Sequence, residues 1–348
     1  PVISPKELSK YDKDTIIFIS CNYLNVIENQ LTQLGFHNIY NCFKILSAAD
    51  FSNFSEVKYL HPLKIERRIE YYKSLCFKED YSKNGILNIK SIDIQITERC
   101  SLKCTNCSNL MQYYQDPKNT SLEKIIAALN ILNKNVDYIS EFRVIGGEPL
   151  MNKDWANVVN SISEHNNEAK IFIYTNGTIP PKEDQLKSFQ GKNVNFTITD
   201  YGKLSKNIDN MINGLEKYSI SYDRQPASDW IDCSNIKHHK RTTAELKEVF
   251  KQCCVKYIYT LLHGKLYRCP FIANAANLNA IPDNPANYVN LLAEGTEIKP
   301  QIRRLVKVAK FFPACDFCDG RPYDPTSKLG YDGRGMIAAG EQVKTPIP

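Results

Sequence analysis

The stretch Ser91-Ile-Asp-Ile-Gln-Ile-Thr97, running directly into Glu98-Arg-Cys100-Ser-Leu-Lys-Cys104-Thr-Asn-Cys107, decides how this chain is read. Apolar and polar residues alternate up to Thr97, which predicts a strand. The cysteines follow as C-x3-C-x2-C in the loop leaving its C-terminal end. So short a loop can wrap three sulfurs around one metal centre and has no fourth local ligand. Thiolates select zinc or iron–sulfur clusters. A structural zinc is closed by four ligands, whereas three thiolates leave one coordination position open for chemistry. In barrel-like α/β folds the C-terminal strand ends form the catalytic face.

Strand and helix patterns alternate downstream. Thr120-x-x-Glu123 reads as a capping box opening a helix over 121–133, with Ile125, Ile126, Leu129 and Leu132 on its buried face. A strand over 141–145 ends in Gly146-Gly147-Glu148-Pro149, whose glycines permit close backbone approach to a ligand and unusual φ. Helices are predicted over 154–165, 181–189 and 205–218, and strands over 170–174, 193–199 and 219–222. Such β/α units imply a parallel sheet with right-handed crossovers, curled into a partial barrel with its strand ends at one mouth. Thr175, Asn176, Asp200 and Tyr201 fall at those ends. They are candidates to line a pocket, each with an ordinary alternative as a cap or turn residue.

The C-x3-C-x2-C triplet together with Gly146-Gly147-Glu148-Pro149 resembles the radical SAM superfamily. The resemblance implies an α/β fold, a partial (β/α)6 TIM-like barrel, over 86–225. It implies a [4Fe–4S] cluster on Cys100, Cys104 and Cys107, with S-adenosylmethionine (SAM) on the open iron. Gly146, Gly147, Glu148 and Pro149 would hold the SAM ammonium, and Thr175, Asn176 and Asp200 would line the SAM and substrate pocket. Reductive cleavage of SAM would give a 5′-deoxyadenosyl radical that abstracts a hydrogen, with flavodoxin or ferredoxin as electron donor. One departure is Asn106, where the family usually has an aromatic residue.

The segment after 226 carries a second cysteine set. Cys254, Gly264 and Cys269 form C-x9-G-x4-C, and Cys315-Asp-Phe-Cys318 follows. The reading is a β-hairpin turning at His263-Gly264, then a helical insert over 300–310. The spacing resembles SPASM and Twitch modules, which implies an auxiliary [4Fe–4S] cluster on Cys254, Cys269, Cys315 and Cys318. Cys253 competes with Cys254, and a four-thiolate zinc site is the alternative. Cys233 reads as a structural thiol or a hydrogen-atom donor. Lys237-His-His-Lys-Arg241 reads as a solvated loop or a phosphate contact. Gly330-Tyr-Asp-Gly-Arg-Gly335 reads as a surface loop.

Residues 1–85 read as a small appendage. An apolar run over 14–20, a helical pattern over 22–34 stopped by Gly35, and a strand over 37–40 make a βαβ fragment. It has no G-x-G-x-x-G, and it resembles segments of surface-polysaccharide enzymes. Residues 51–85 read as helix and linker, and Cys21, Cys42 and Cys76 as core residues.

The 348 residues are 43% hydrophobic and 24% charged, values of a globular protein, with no apolar run long enough for a membrane span and no visible signal peptide. Twelve cysteines without a secretion signal favour metal binding over disulfides, and a cytoplasmic setting. The net charge of +6 admits anionic substrates without implying nucleic acid. Resemblance to Twitch-containing aminocyclitol dehydrogenases points to a small-molecule substrate, a nucleotide-linked sugar undergoing dehydrogenation, epimerisation or dehydration. Maturation of a ribosomally made peptide and non-catalytic zinc binding are the alternatives.

Overall fold

The computed structural model describes residues 5–8, 10–19, 24–41, 87–166, 169–322, 331–333 and 335–343. Cys21, Cys42, Cys76 and the 51–85 segment lie outside the described residues. The chain divides into two compact units, Pro1–Asn88 and Ile89–Pro348.

In the first unit, β1 (Ile17–Ile19) and β2 (Ile39–Asn41) pair in parallel. Helix α1 (Leu24–Gln33) connects them, which is the expected βαβ arrangement. Ile19, Leu31 and Phe36 form its core. Gly35 ends the helix at φ +89°, a conformation in which glycine meets no Cβ penalty.

In the second unit the order of strands in the sheet is β11-β10-β9-β3-β4-β5-β6-β7. Strand β3 (Asn88–Thr97) is buried along nearly its whole length on both faces, as befits a central strand of a parallel-rich sheet. Beside it run β4 (Tyr138–Gly146), β5 (Lys170–Thr175), β6 (Val194–Asp200) and β7 (Ser221–Pro226). Strands β4 to β7 are mutually parallel. The connecting helices are α2 (Leu122–Asn135), α3 (Trp155–His165), α4 (Glu183–Lys187) and α5 (Ile208–Lys217). The result is a mixed α/β fold with the strand ends of β3 to β6 at one edge.

A two-residue ribbon, β8 (Trp230–Ile231), pairs with β12 (Met336–Ile337). Helix α6 (Thr243–Gln252) then leads to the hairpin of β9 (Ile258–Leu262) and β10 (Lys265–Tyr267). His263 and Gly264 both have positive φ, 48° and 84°, the geometry of a type I′ turn. The hairpin joins the main sheet: β9 pairs in parallel with β3, and β10 pairs antiparallel with β9 and with β11 (Tyr288–Asn290). Helix α7 (Pro270–Asn277) packs on this hairpin. The insert is α8 (Ile298–Arg303) continued by a wider turn over Arg304–Val308.

The expected capping box at Thr120 is corrected by one residue. Ser121 is the N-cap of α2, and its hydroxyl accepts from Lys124 N at 3.4 Å. Thr120 is buried instead, with its hydroxyl 3.0 Å from His263 Nδ1.

The aromatic contact between sheet and helices centres on Trp155, which is 2% exposed and meets Phe189 and Phe196 edge-on at 5.4 and 6.0 Å. Trp155→Ala should cost roughly 3–5 kcal/mol, read as a lower denaturant midpoint at unchanged m-value.

Candidate active site

The cysteine loop is seated by backbone. Gly147 N–H donates to Thr97 O at 3.1 Å, and Glu148 N–H donates to Arg99 O at 2.8 Å. A Cβ on Gly146 would lie 2.5 Å from Thr97 O, and one on Gly147 would lie 2.3 Å from Arg99 O. Real Cβ atoms do not approach so closely, so both positions require glycine. Neither glycine has positive φ among the described residues. The expectation of unusual φ is therefore corrected: the missing Cβ matters because these glycines press on the cysteine loop itself.

Glu148 differs from expectation in the same way. Its side chain is fully buried and does not line the cleft beside the cysteine loop. Its carboxylate accepts from Thr175 Oγ1 at 2.9 and 3.0 Å, Asn176 N at 2.8 Å and Leu150 N at 3.2 Å. It ties the end of β4 to the end of β5. Pro149 begins the following turn, with Leu150 and Met151.

Cys104 is buried, and Cys100 and Cys107 are half-buried. Cys107 N donates to Cys104 O at 3.3 Å, Leu110 N donates to Cys107 O at 2.9 Å, and Leu110 turns the chain at φ 61°. Burial pushes the Cys100 thiol up to about 12 and raises the thiols of Cys104 and Cys107 as well. Such thiols ionise when a cation supplies the compensating charge. Asn176 links this loop to β5, with Nδ2 3.1 Å from Ser101 Oγ and 3.8 Å from Cys100 Sγ.

The C-terminal segment also holds the loop, a contact with no sequence signal. Lys103 N donates to Gln342 Oε1 at 2.7 Å, Thr105 N to Glu341 O at 2.8 Å, and Val343 N to Lys103 O at 2.7 Å. Gln342 Nε2 lies 3.4 Å from Cys104 Sγ.

Beside the loop is an open cleft of about 870 Å³, solvent mouth included. Gly146, Gly147, Thr175 and Asn176 line it, as do Tyr174 and Tyr201. Asp200 does not: it receives Arg224 Nη2 at 2.7 Å and Gly202 N–H at 2.8 Å, and it borders a separate outer groove. Its expected place in the pocket is corrected, because Arg224 on the neighbouring strand draws it to the sheet edge. The cleft also exposes a pair that sequence reasoning missed, Asp93 and Arg143, joined at 2.5 Å. Burial pushes the Asp93 carboxyl up to about 6, with Arg143 opposing the rise. Opposite charges at Asp93 and Arg143, each within a strand whose neighbouring residues are largely buried, were the available signal.

The second cysteine set surrounds a cavity lined by Cys253, Cys269, Cys315 and Cys318. Cys254 is not among the lining residues. Adjacent residues in extended chain face opposite ways, and Cys253, at the end of α6, is the one turned inward. Burial, with the thiols of Cys269, Cys318 and Cys315 adding to it, raises the Cys253 thiol well above its usual range, whereas Arg321 opposes the rise at Cys254. Two buried arginines border this cavity, Arg268 at 4% and Arg321 at 5% exposure. Arg268 Nε and Nη1 and Arg321 Nε have no hydrogen-bond partner among the described residues. Buried donors of this kind are ordinarily satisfied by an acceptor, and a metal–thiolate centre would be one. Among the described residues no three His, Cys, Asp or Glu side chains converge on a single-ion site.

The basic run divides: Lys237, His238 and Lys240 are exposed, as a solvated loop would have them, whereas the side chains of His239 and Arg241 turn inward. His239 is buried between Asp319, at 3.2 Å, and Asp332, at 2.9 Å. Arg241 Nη1 donates to Cys315 O at 2.9 Å and Cys318 O at 2.7 Å, so the run clamps the C-x2-C turn. Cys233 is buried and lines neither cavity.

Burial also pushes the Glu148 carboxyl from 4.5 up to about 7. Between those values the unfolded chain has released a proton that the native chain retains. The group's contribution is therefore greatest below pH 4.5 and falls as pH rises to about 7, by roughly 3 kcal/mol. Glu148→Gln should flatten that slope in denaturant titrations across the interval.

Residues 94–218 match the family model described as the Radical SAM superfamily. The chain is 26% identical over 161 residues to GTP 3′,8-cyclase of Campylobacter jejuni, covering 46% of this chain and 40% of that protein. It is 30% identical over 136 residues to GTP 3′,8-cyclase of Clostridium acetobutylicum, covering 35% and 42%. It thus spans less than half the length of either relative. Among solved structures, BtrN in complex with AdoMet and 2-DOIA aligns with a TM-score of 0.44 at 14% identity, covering 74% of this chain and 97% of BtrN. Among the described residues no helix is long and apolar enough to cross a membrane. The similarity to the radical SAM superfamily, whose enzymes use a [4Fe–4S] cluster and SAM, is thus carried by residues 94–218.

Proposed function

We propose that this chain cleaves SAM reductively and removes a hydrogen atom from a small hydroxylated substrate, a nucleotide-linked sugar, bound in the cleft at the strand ends. One observation carries the reading. A single cleft is walled by Gly146, Gly147 and Asn176 beside the cysteine loop, by the Asp93–Arg143 pair, and by Arg321 beside the second cysteine set. The donor set fits a cluster on Cys100, Cys104 and Cys107, and Cys253, Cys269, Cys315 and Cys318 fit a second centre. When bound, the first cluster supplies the one-electron cleavage of SAM to methionine and a 5′-deoxyadenosyl radical.

The chain's own residues orient and protect. Gly146 and Gly147 present bare backbone to the cleft, and Asn176 holds Ser101 and Cys100. Oxidation of a carbinol to a carbonyl removes one hydrogen atom, one proton and one electron. Asp93, raised to about 6 by burial, is placed for the proton. The four-thiol cavity is placed for an electron acceptor. Tyr174 and Tyr201 offer aromatic faces to a sugar or base, and the relatives named for GTP favour a substrate carrying a nucleotide.

The anaerobically reconstituted chain should hold about eight iron atoms with matching acid-labile sulfide, as two clusters require. It should move deuterium from a labelled sugar nucleotide into 5′-deoxyadenosine. SAM cleavage without transfer from any sugar nucleotide would remove the substrate assignment. Replacing Cys100, Cys104 and Cys107 together with Ala should abolish SAM cleavage and leave about four iron bound. Separately, Cys253→Ser should lose about half the iron and Cys254→Ser should retain it, measured by iron and sulfide analysis. The reverse result would restore Cys254 as the ligand.

A further inference from the structure

Arg321 is the charged residue that lines both cavities. It lies three positions beyond Cys318 and lines both the four-cysteine cavity and the cleft. Its Nη2 donates to Ser108 O at 2.7 Å, one residue past Cys107. Its own carbonyl accepts from Cys254 N at 2.7 Å, which fixes its backbone against the end of α6. The guanidinium carbon sits 5.9 Å from the Phe271 ring centre. No carboxylate pairs with Arg321 in any described ion pair, and its Nε is unpartnered.

A buried guanidinium in this state carries an unbalanced charge, which is costly unless an anion stands beside it. The anions available are the thiolates of the second centre. A positive charge and an N–H directed at cluster sulfur both favour the reduced, more negative state. Arg268 borders the same cavity but is spread over the rings of Tyr259, at 4.5 Å, and Phe250, at 5.3 Å. Arg321 alone of the two also reaches the first cysteine loop.

We propose that Arg321 is a positioning residue that fixes one positive charge between the two cysteine sets and raises the electron affinity of the auxiliary centre. The proposal rests on the reading of Cys253, Cys269, Cys315 and Cys318 as an iron–sulfur site. The transfer it concerns is one electron onto the oxidised centre. The electron comes from dithionite in the test below.

The test uses the full chain with Cys100, Cys104 and Cys107 replaced by Ala, so that one centre is observed. Iron and sulfide are measured first. A chain that keeps Arg321 and binds no iron–sulfur centre removes the underlying reading without bearing on Arg321. Given a loaded centre, Arg321→Gln and Arg321→Lys are compared by redox titration followed by electron paramagnetic resonance. The glutamine variant should shift the reduction equilibrium at least about tenfold toward the oxidised form, about 59 mV for one electron. The lysine variant, which keeps the charge, should stay within about threefold of the parent. Loss of the centre in the glutamine variant alone, with lysine near the parent potential, also supports the proposal. An unchanged glutamine variant, equal shifts in both, or loss of the centre in both would overturn it.

Discussion

The whole site depends on one contact, the backbone of Gly146–Glu148 lying on the backbone of Thr97–Arg99. Its two hydrogen bonds are ordinary in strength, about 1 kcal/mol each. What makes the contact decisive is distance. With Arg99 O only 2.3 Å from where a Gly147 Cβ would stand, no other residue type lets the β4 end approach the cysteine loop. Glu148 is then folded beneath the contact and receives Thr175 and Asn176 from β5. Three strand ends are thus laced together before any cofactor is considered. The loop carrying Cys100, Cys104 and Cys107 takes its position from them.

Buried charge is the second organising feature. Asp93 and Arg143 answer one another inside the cleft. Arg241 is neutralised by Asp332 while it grips two carbonyls of the C-x2-C turn. Arg268 and Arg321 are different, because N–H groups of each lie unpartnered beside four thiols. Burying an unpaired guanidinium is unfavourable, and an ionised thiolate beside it offsets that cost.

That region is not a bead on a string. Its hairpin supplies β9 directly to β3, the strand that carries the cysteine loop. His263 in the hairpin turn reaches Glu98 at 2.7 Å, and Asn277 of α7 reaches the same carboxylate at 2.7 Å. The two cysteine sets are thus joined by a shared sheet and by Arg321, whose Nη2 donates to Ser108 O.

The linear chain by itself determined the α/β alternation, the strand that carries the thiols, the two glycines, the βαβ unit and the hairpin turn. Each is a local pattern: periodicity of two or of about 3.6, a residue that must lack a side chain, or a pair with positive φ. The tertiary structure decided what spacing cannot express. It turned Cys253, and not Cys254, toward the cavity that Cys269, Cys315 and Cys318 line, because facing alternates between neighbours and only packing says which one faces inward. It moved Asp200 out of the pocket through Arg224, buried Glu148, and turned the Lys237–Arg241 run into a clamp. It brought Gln342 and Arg321 to cysteines far away in sequence. Those partnerships are long-range, fixed by burial and charge balance across separate elements, and a motif records only what lies within its own few residues.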